Sequence, residues 1–397
     1  MPPSPFDLVR GTPFSEFTGS ATPLAGGMIN HVWRLTSCVD PARTVVVKYA
    51  GPELSSDAGV SFSTERMALE ARALALYSDG GSSGGVSGAD SEVTRCVELG
   101  RELAPTPGLR LPRLLHYDPT VPFMVMEDIG TLPDIYHWSV DCALDKRYAE
   151  LADGLTTVCE RVGEWLARLH GFGFDRRAEL EPLFTNHAAR ALLGEVVYDA
   201  ARAELVERSA LVDRHQLAAV VSKFRDETAP GGPAPRTLTF GDLWTGAALV
   251  DARSHGVTIL DCEFADVGPV CGDIGHFVAH LVPLHFLCTA DYDPNRGPCP
   301  AHITAFLRAY RATLVADHPA AFDALVVAGD AARLSNVFLG IEIAHDVLNG
   351  NWCRCTGPRK SPASKDPLTC PCAAVLLPFA RSCMYDSAAS VFGTLAP

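Results

Sequence analysis

Residues 239–277 read TFGDLWTGAALV (239–250), DARSHG (251–256) and VTILDCEFADVGPVCGDIGHF (257–277). Two apolar runs, 247–250 and 257–260, flank the polar 251–256, so the pattern predicts two short strands joined by a turn. One carboxylate precedes the first strand and another closes the second. Paired strands bring such positions to one end of the sheet, so Asp242 and Asp261 are expected to point at one spot.

Facing carboxylates of this kind suit phosphoryl transfer, in which one takes the acceptor's hydroxyl proton and the other holds the magnesium that offsets the phosphate charge. Glu263, two residues past Asp261, shares its face if the strand continues and is a further candidate metal contact. Acids in a loop are most often merely solvated. The strand-end placement favours the functional reading.

The 397 residues suffice for a large core and predict two or more domains. A net charge of −14 argues against a nucleic-acid surface and fits a cytoplasmic enzyme. The opening MPPSPFDLVRG lacks the basic and apolar regions of a secretory signal, and no segment reaches the ~18 apolar residues of a membrane span. A soluble protein without a membrane partner is expected. The sequence leaves the oligomeric state open.

Most of the thirteen cysteines stand singly in apolar segments, where a reduced, buried thiol is expected. Cys353-Arg-Cys355 and Cys370-Pro-Cys372 form pairs with one intervening residue rather than the two usual in zinc ribbons. Unpaired loop thiols or a local disulfide are preferred there over zinc.

Upstream, LAGGMINHVWRLTS (24–37) reads as strand, glycine turn, strand, with Gly26 and Gly27 placed to let backbone amides approach an anion. In TVVVKY (44–49) Lys48 alternates with valines, so it either snorkels at an edge or meets a charge. A helix is predicted over 63–77, with Glu70 placed to pair with Lys48 or, less usefully, with Arg66 or Arg72. The Gly/Ser-rich 79–93 reads as a flexible insertion. A buried-type strand over 123–126 runs into Glu127-Asp128-Ile129-Gly130, a short polar hinge where backbone at Glu127 and Ile129 is available to adenine. Beyond it the pattern turns helical. TTVCERVGEWLARLHGFG (156–173) carries Val158, Val162, Trp165, Leu166 and Leu169 at helical spacing, with Gly171 read as its stop and His170 as a packed or capping histidine. Further helices are predicted at 186–205, 213–225, 301–317, 319–327 and 331–348.

Taken in order, the glycine turn, strand lysine, helix glutamate, hinge, FGDLWTG and ILDCEF resemble the aminoglycoside phosphotransferase and protein-kinase-like superfamily. The likeness spans nearly the whole chain. GGMINHVWRL, DLWTG, the Asp-x-Glu of DCEF and GPVCGDIGHF look most like the methylthioribose kinases and their fungal relatives, the 4-hydroxytryptamine kinases. The resemblance implies an α+β, two-lobed protein-kinase-like fold: a small β-rich N-lobe with one helix (1–127) and a larger, mainly helical C-lobe (128–397). The C-lobe would carry a catalytic loop at 240–250, a metal segment at 261–275 and substrate helices.

Carried over by position, the resemblance implies Asp242 as catalytic base, Asp261 as metal ligand and Glu263 as auxiliary contact. Gly26, Gly27, Asn30, Lys48, Glu70, Glu127 and Ile129 would hold the nucleotide, and Asp273 would brace the catalytic loop. ATP and Mg2+ are the implied cofactors and a small molecule the implied partner. Three departures stand out. Phe240 replaces a loop-supporting histidine. Ala247 replaces the asparagine that binds a second magnesium, a loss Glu263 would have to offset and one that keeps open a pseudokinase, a nucleotide-binding scaffold. His345 and Asp346 replace an arginine pair that grips the sugar of methylthioribose, so that substrate is not expected. Acids at Asp266, Glu342 and Asp346 would tolerate an amine-bearing acceptor, and an aminoglycoside-type antibiotic remains a further alternative.

Overall fold

A computed structural model of the chain describes residues 2–24, 29–56, 59–77, 86–88, 90–194, 214–288, 301–348, 371–385 and 391–395. Before residue 128 lie β1 (Ser20–Pro23), β2 (His31–Thr36), β3 (Thr44–Tyr49), β4 (Leu109–Arg110), β5 (Leu114–Asp118) and β6 (Phe123–Glu127). Five of them form an antiparallel sheet in the order β1-β2-β3-β6-β5. The β-branched run of β3 suits its interior place, buried through Val45–Lys48. Side chains alternate across the strand. Val45 and Val47 pack with Leu35, Phe123 and Val125 under Phe17 and the N-terminal helix α1 (Pro5–Val9), through its Leu8 and Val9. Lys48 therefore points to the opposite face.

That face is covered by α2 (Arg66–Tyr77), which begins three residues later than the sequence pattern suggested. The Arg66 guanidinium turns back to the carbonyls of Phe62 and Ser63, closing the turn before the helix. Of the span read as a flexible insertion, residues 79–85 and 89 lie outside the described residues, and Ser91–Val93 belong to α3 (Ser91–Gly100). Asp90 caps it by accepting from the backbone N–H groups of Glu92 and Val93, a signal outweighed in the sequence by the glycines and serines before it.

The remainder is mostly helical: α4 (Ile135–Leu144), α5 (Tyr148–Asp175), α6 (Arg177–Leu180), α7 (His187–Leu193), α8 (Arg214–Thr228), α9 (Cys271–Cys288), α10 (Ala301–Asp317), α11 (Pro319–Ala321), α12 (Ala331–Leu348) and α13 (Pro371–Tyr385). The two-lobed α+β organisation is thus as expected, although the described residues before 128 carry three helices, α1, α2 and α3, rather than the one expected. The helix expected over 319–327 is α11 continued by a π-helical stretch, Phe322–Ala328. Gly171 does not stop α5. A β-carbon there would lie 2.2 Å from the His318 ring, so the residue is small for packing, and the helix continues to Asp175.

Two small sheets sit against the helices and flank the segments that carry Asp242 and Asp261. β7 (Thr237–Thr239) pairs antiparallel with β10 (Asp266–Gly268). β8 (Ala248–Asp251) and β9 (Gly256–Ile259) form the expected hairpin, each shifted one residue, and β4 adds to β9 in parallel. Among the described residues no single helix is long and apolar enough to cross a membrane. The bent pair Pro319–Ala328 and Ala331–His345 has the length and composition, but its Phe322, Leu325, Leu339 and Ile341 are buried in the protein's own core.

Candidate active site

Asp242 is presented by a loop fixed from behind. Gly241 has φ +90°, and a β-carbon there would lie 2.1 Å from the carbonyl oxygen of Phe264, so only glycine fits the turn. The Asp273 carboxylate, on the first turn of α9, accepts the backbone N–H groups of Phe240 and Gly241, both at 2.7 Å. Its other contact is His170 Nε2 at 3.1 Å, and His170 Nδ1 meets the Tyr310 hydroxyl at 2.8 Å. All of these side chains are buried. The bracing role expected of Asp273 is present, extended by a histidine and a tyrosine from α5 and α10. Phe240 takes no part through its ring, which packs edge-on against Trp165.

The second carboxylate arrives differently from the sequence expectation. β9 ends at Ile259, and Asp261 adopts φ +63° in a turn, so Asp261 and Glu263 do not share a strand face. The turn nevertheless brings both to Lys48. Its ammonium donates to Glu70 Oε1 (2.7 Å), Asp261 Oδ1 (2.8 Å) and Glu263 Oε2 (3.1 Å), one cation among three carboxylates. Lys48 and Glu70 are each 2 % exposed and Glu263 5 %, whereas Asp261 is 47 % exposed and opens to solvent. Burial pulls the lysine's pKa down, but Asp261, Glu263 and Glu70 outweigh it and hold the ammonium well above its usual value. Glu70 is pushed up by burial and by the charges of Glu263 and Asp261, against the pull of Lys48.

Glu263 has both oxygens engaged, since Asn30 Nδ2 donates to Oε1 at 3.1 Å. Asn30 in turn accepts from Arg66 Nε at 2.9 Å. Arg66, 1 % exposed, also holds the carbonyls of Ile29 and Gly51, tying the residue that leads into β2 to α2 and, through Asn30, to Glu263. Sequence reasoning offered Arg66 only as a surface partner for Glu70. Its place four residues before a helix glutamate was the available signal.

Burial raises the Asp242 pKa to about 7, with further pressure from Glu263, Asp261 and Asp273. A base must be ionised to accept a proton, so its activity is lost as pH falls through this value. A cation held at Asp261 would offset the neighbouring charges and ease ionisation. We expect kcat/KM for the nucleotide, which reports the free protein, to fall below pH ~7, with kcat falling at lower pH. Coincident inflections near pH 4 would show that Asp242 is not the titrating base.

The described helices next to Asp242 carry histidines the sequence reading passed over. His276 and His280 lie one turn apart on α9, and His276 Nδ1 is 3.6 Å from Asp242 Oδ1. Burial lowers the His276 pKa to about 4 and that of His280 well below its ordinary value, with each other's proximity adding to the latter.

Residues 20–310, well over half the chain, match the model of the phosphotransferase enzyme family (APH). The chain belongs to that family. The protein is 27 % identical to the 4-hydroxytryptamine kinase of Psilocybe cyanescens over 64 % of its length and 25 % identical to that of Psilocybe cubensis over 66 %. These matches take in 65 % and 67 % of the relatives' own lengths. Among solved structures it is similar to an ethanolamine kinase of Plasmodium vivax, at 13 % identity and TM-score 0.46, covering 92 % of this chain and 84 % of that one.

In this member of the family the remaining sequence candidates fall as follows. Gly26 and Gly27 lie outside the described residues, as do Cys353, Cys355 and Cys370 and the side chains of Cys372 and Asp346. Glu127 closes β6, its carboxylate paired with Arg110 at 2.9 Å, and Ile129 is half-buried in the following segment. The hinge is clamped by Arg34, which forms a two-pronged pair with Asp128 at 2.6 and 2.9 Å and reaches the Gly130 carbonyl. Ala247 is fully buried, its amide bonded to the Trp244 carbonyl. Asp266 does not contribute an open acid to a cleft: Arg190 grips both its oxygens at 2.6 Å.

Proposed function

We propose that this protein is an ATP- and Mg2+-dependent small-molecule kinase that phosphorylates an acceptor hydroxyl. The observation that carries the reading is the gathering of Glu70, Asp261 and Glu263 on the Lys48 ammonium, together with a braced Asp242 whose pKa is raised by burial first and then by Glu263, Asp261 and Asp273. The cluster sets one cation against three carboxylates, an excess of negative charge that fits a divalent cation with oxygen ligands. Asp261, open to solvent, would hold Mg2+, which when bound supplies charge neutralisation for the phosphates. Glu263 supports the site through Lys48 and Asn30 rather than through a free carboxylate oxygen.

Lys48, positioned by Glu70, would contact the nucleotide's phosphates. Residues 1–127 would cover the nucleotide, with backbone at Glu127 and Ile129 meeting the adenine and Gly26 and Gly27 the phosphates, while 128–397 presents the acceptor. Asp242 accepts the acceptor's hydroxyl proton. The acceptor oxygen bonds to the γ-phosphorus, and the bond to the ADP oxygen breaks. The names of the 4-hydroxytryptamine kinases favour an acceptor that also bears an amine, and the chain's net charge of −14 is compatible with a cationic one. We place the activity in the cytoplasm, away from nucleic acid and membrane.

Incubating the purified protein with MgATP and a panel of hydroxylated amines, sugars and aminoglycosides tests the reading by 31P NMR. A new phosphomonoester signal with a hydroxylated amine is the expected result. Ala247 favours a second reading, a nucleotide-binding pseudokinase. That reading holds if nucleotide binds and no Mg2+-dependent turnover follows with any acceptor or with water.

A further inference from the structure

Beside the catalytic base, α9 and α12 bring together a side-chain set that phosphoryl transfer does not use. His276 and His280 stand at i and i+4 on one face of α9, their rings 4.6 Å apart at 70°. Both Nε2 atoms converge on a single oxygen of Glu342, on α12: His276 Nε2 lies 3.6 Å and His280 Nε2 3.9 Å from Glu342 Oε1. One ligand atom from each of the three residues falls within 4.8 Å of the others, and all three residues are buried, between 5 and 9 % exposed.

These separations exceed a normal N–H···O hydrogen bond of about 2.7–3.2 Å. They approach the edge of a tetrahedron around a zinc ion: bonds of ~2.1 Å to nitrogen and oxygen place neighbouring ligand atoms ~3.4 Å apart. Two imidazoles and one carboxylate suit zinc or another late first-row ion and not magnesium, which prefers oxygen throughout.

We propose that His276, His280 and Glu342 form a transition-metal site, with Zn2+ its natural occupant and a fourth position left for water. The site is coupled to catalysis through His276. A metal on Nε2 fixes the ring proton on Nδ1, the atom 3.6 Å from Asp242 Oδ1. Closing that gap by about 0.4 Å lets the Nδ1–H donate to the carboxylate and occupy the oxygen that takes the acceptor's proton. Zinc loading therefore inhibits transfer, a consequence that rests on the kinase reading above, whereas metal binding itself does not.

Equilibrium dialysis of the full chain against Co2+, read by metal content and visible absorption, tests the site without reference to activity. Wild type is expected to take up one equivalent showing tetrahedral d–d bands without thiolate charge-transfer absorption, which separates it from any cysteine site. His280→Ala should lose that equivalent, weakening binding about 100-fold or more, since even outer-shell changes cost about 10- to 100-fold. Glu342→Gln, which preserves volume, should do the same and covers the case in which the alanine variant fails to fold. Zn2+ should inhibit turnover of wild type, with the ratio of rates with and without metal returning to one in His280→Ala. Uptake unchanged in both variants, or no N/O-ligated equivalent in wild type, overturns the proposal. Uptake lost in the variants without zinc inhibition upholds the site and removes its coupling to Asp242.

Discussion

Asp242→Asn is expected to lower kcat by about 10²- to 10⁴-fold, the range contributed by a positioned general base, with nucleotide affinity nearly unchanged. The asparagine keeps the shape of the side chain, and the loop's backbone bonds to Asp273 do not involve it. Stability should move the other way. The folded-state pKa of Asp242, about 7, lies above the unfolded value of ~3.9, so the native state favours the protonated acid. Its ionisation costs stability progressively as pH rises from about 4 through about 7. The amide escapes that cost, and the variant should therefore melt above wild type at pH 8 and match it at pH 4. Thermal melts at the two pH values, alongside initial rates, check both halves. A variant that loses activity and stability together would mark Asp242 as structural.

Lys48→Met should be the most destabilising single change in the site. It removes the cation shared by three carboxylates, two of them almost fully buried, and leaving a buried charge uncompensated costs about 3–5 kcal/mol. Part of that loss is relieved as Glu70, whose pKa already stands high, takes up a proton. Two consequences separate this from ordinary core damage. Glu70→Gln in the same chain should recover stability, because it removes one of the orphaned charges, and the double variant should be non-additive. Mg2+ should raise the melting temperature of Lys48→Met more than that of wild type, since the oxygens of Glu70, Asp261 and Glu263 lie within 4.8 Å of one another. Denaturant unfolding with and without Mg2+ measures both. Equal additive losses, with no extra response to Mg2+, would mean the carboxylates are not held together by the lysine.

Much of this site could be read from local pattern, and the rest could not for identifiable reasons. Lys48 among valines and Glu70 on the next helix are strand and helix positions of fixed direction, and they meet as expected. The hairpin that separates Asp242 from Asp261 follows from alternating apolar and polar runs. Glu263 was placed by extrapolating β9 past its end. The left-handed turn at Asp261 breaks that periodicity, and no residue type announces it, since aspartate enters that region only by local exception. Asn30 and Arg66 stand far from Glu263 in the chain, and their shared burial is a tertiary fact. Gly171 illustrates a different ambiguity: a glycine near a helix end reads as a stop, yet here it makes room for His318 inside the helix. His276 and His280 stood in view at helical spacing, but their carboxylate partner comes from α12, more than sixty residues on, and only packing joins them.

Whether the braced Asp242 and the Lys48-centred acid cluster make this chain a working phosphotransferase is decided by the rate of Mg2+-dependent phosphoryl release from ATP. The rate is measured in wild type and Asp242→Asn, to a hydroxylated acceptor or to water, with ATP affinity determined in parallel. Measurable turnover in wild type and a loss of about 100-fold or more in the variant, at unchanged ATP affinity, are expected. Equal rates in the two proteins, or ATP binding without any Mg2+-dependent turnover in wild type, would contradict the kinase reading.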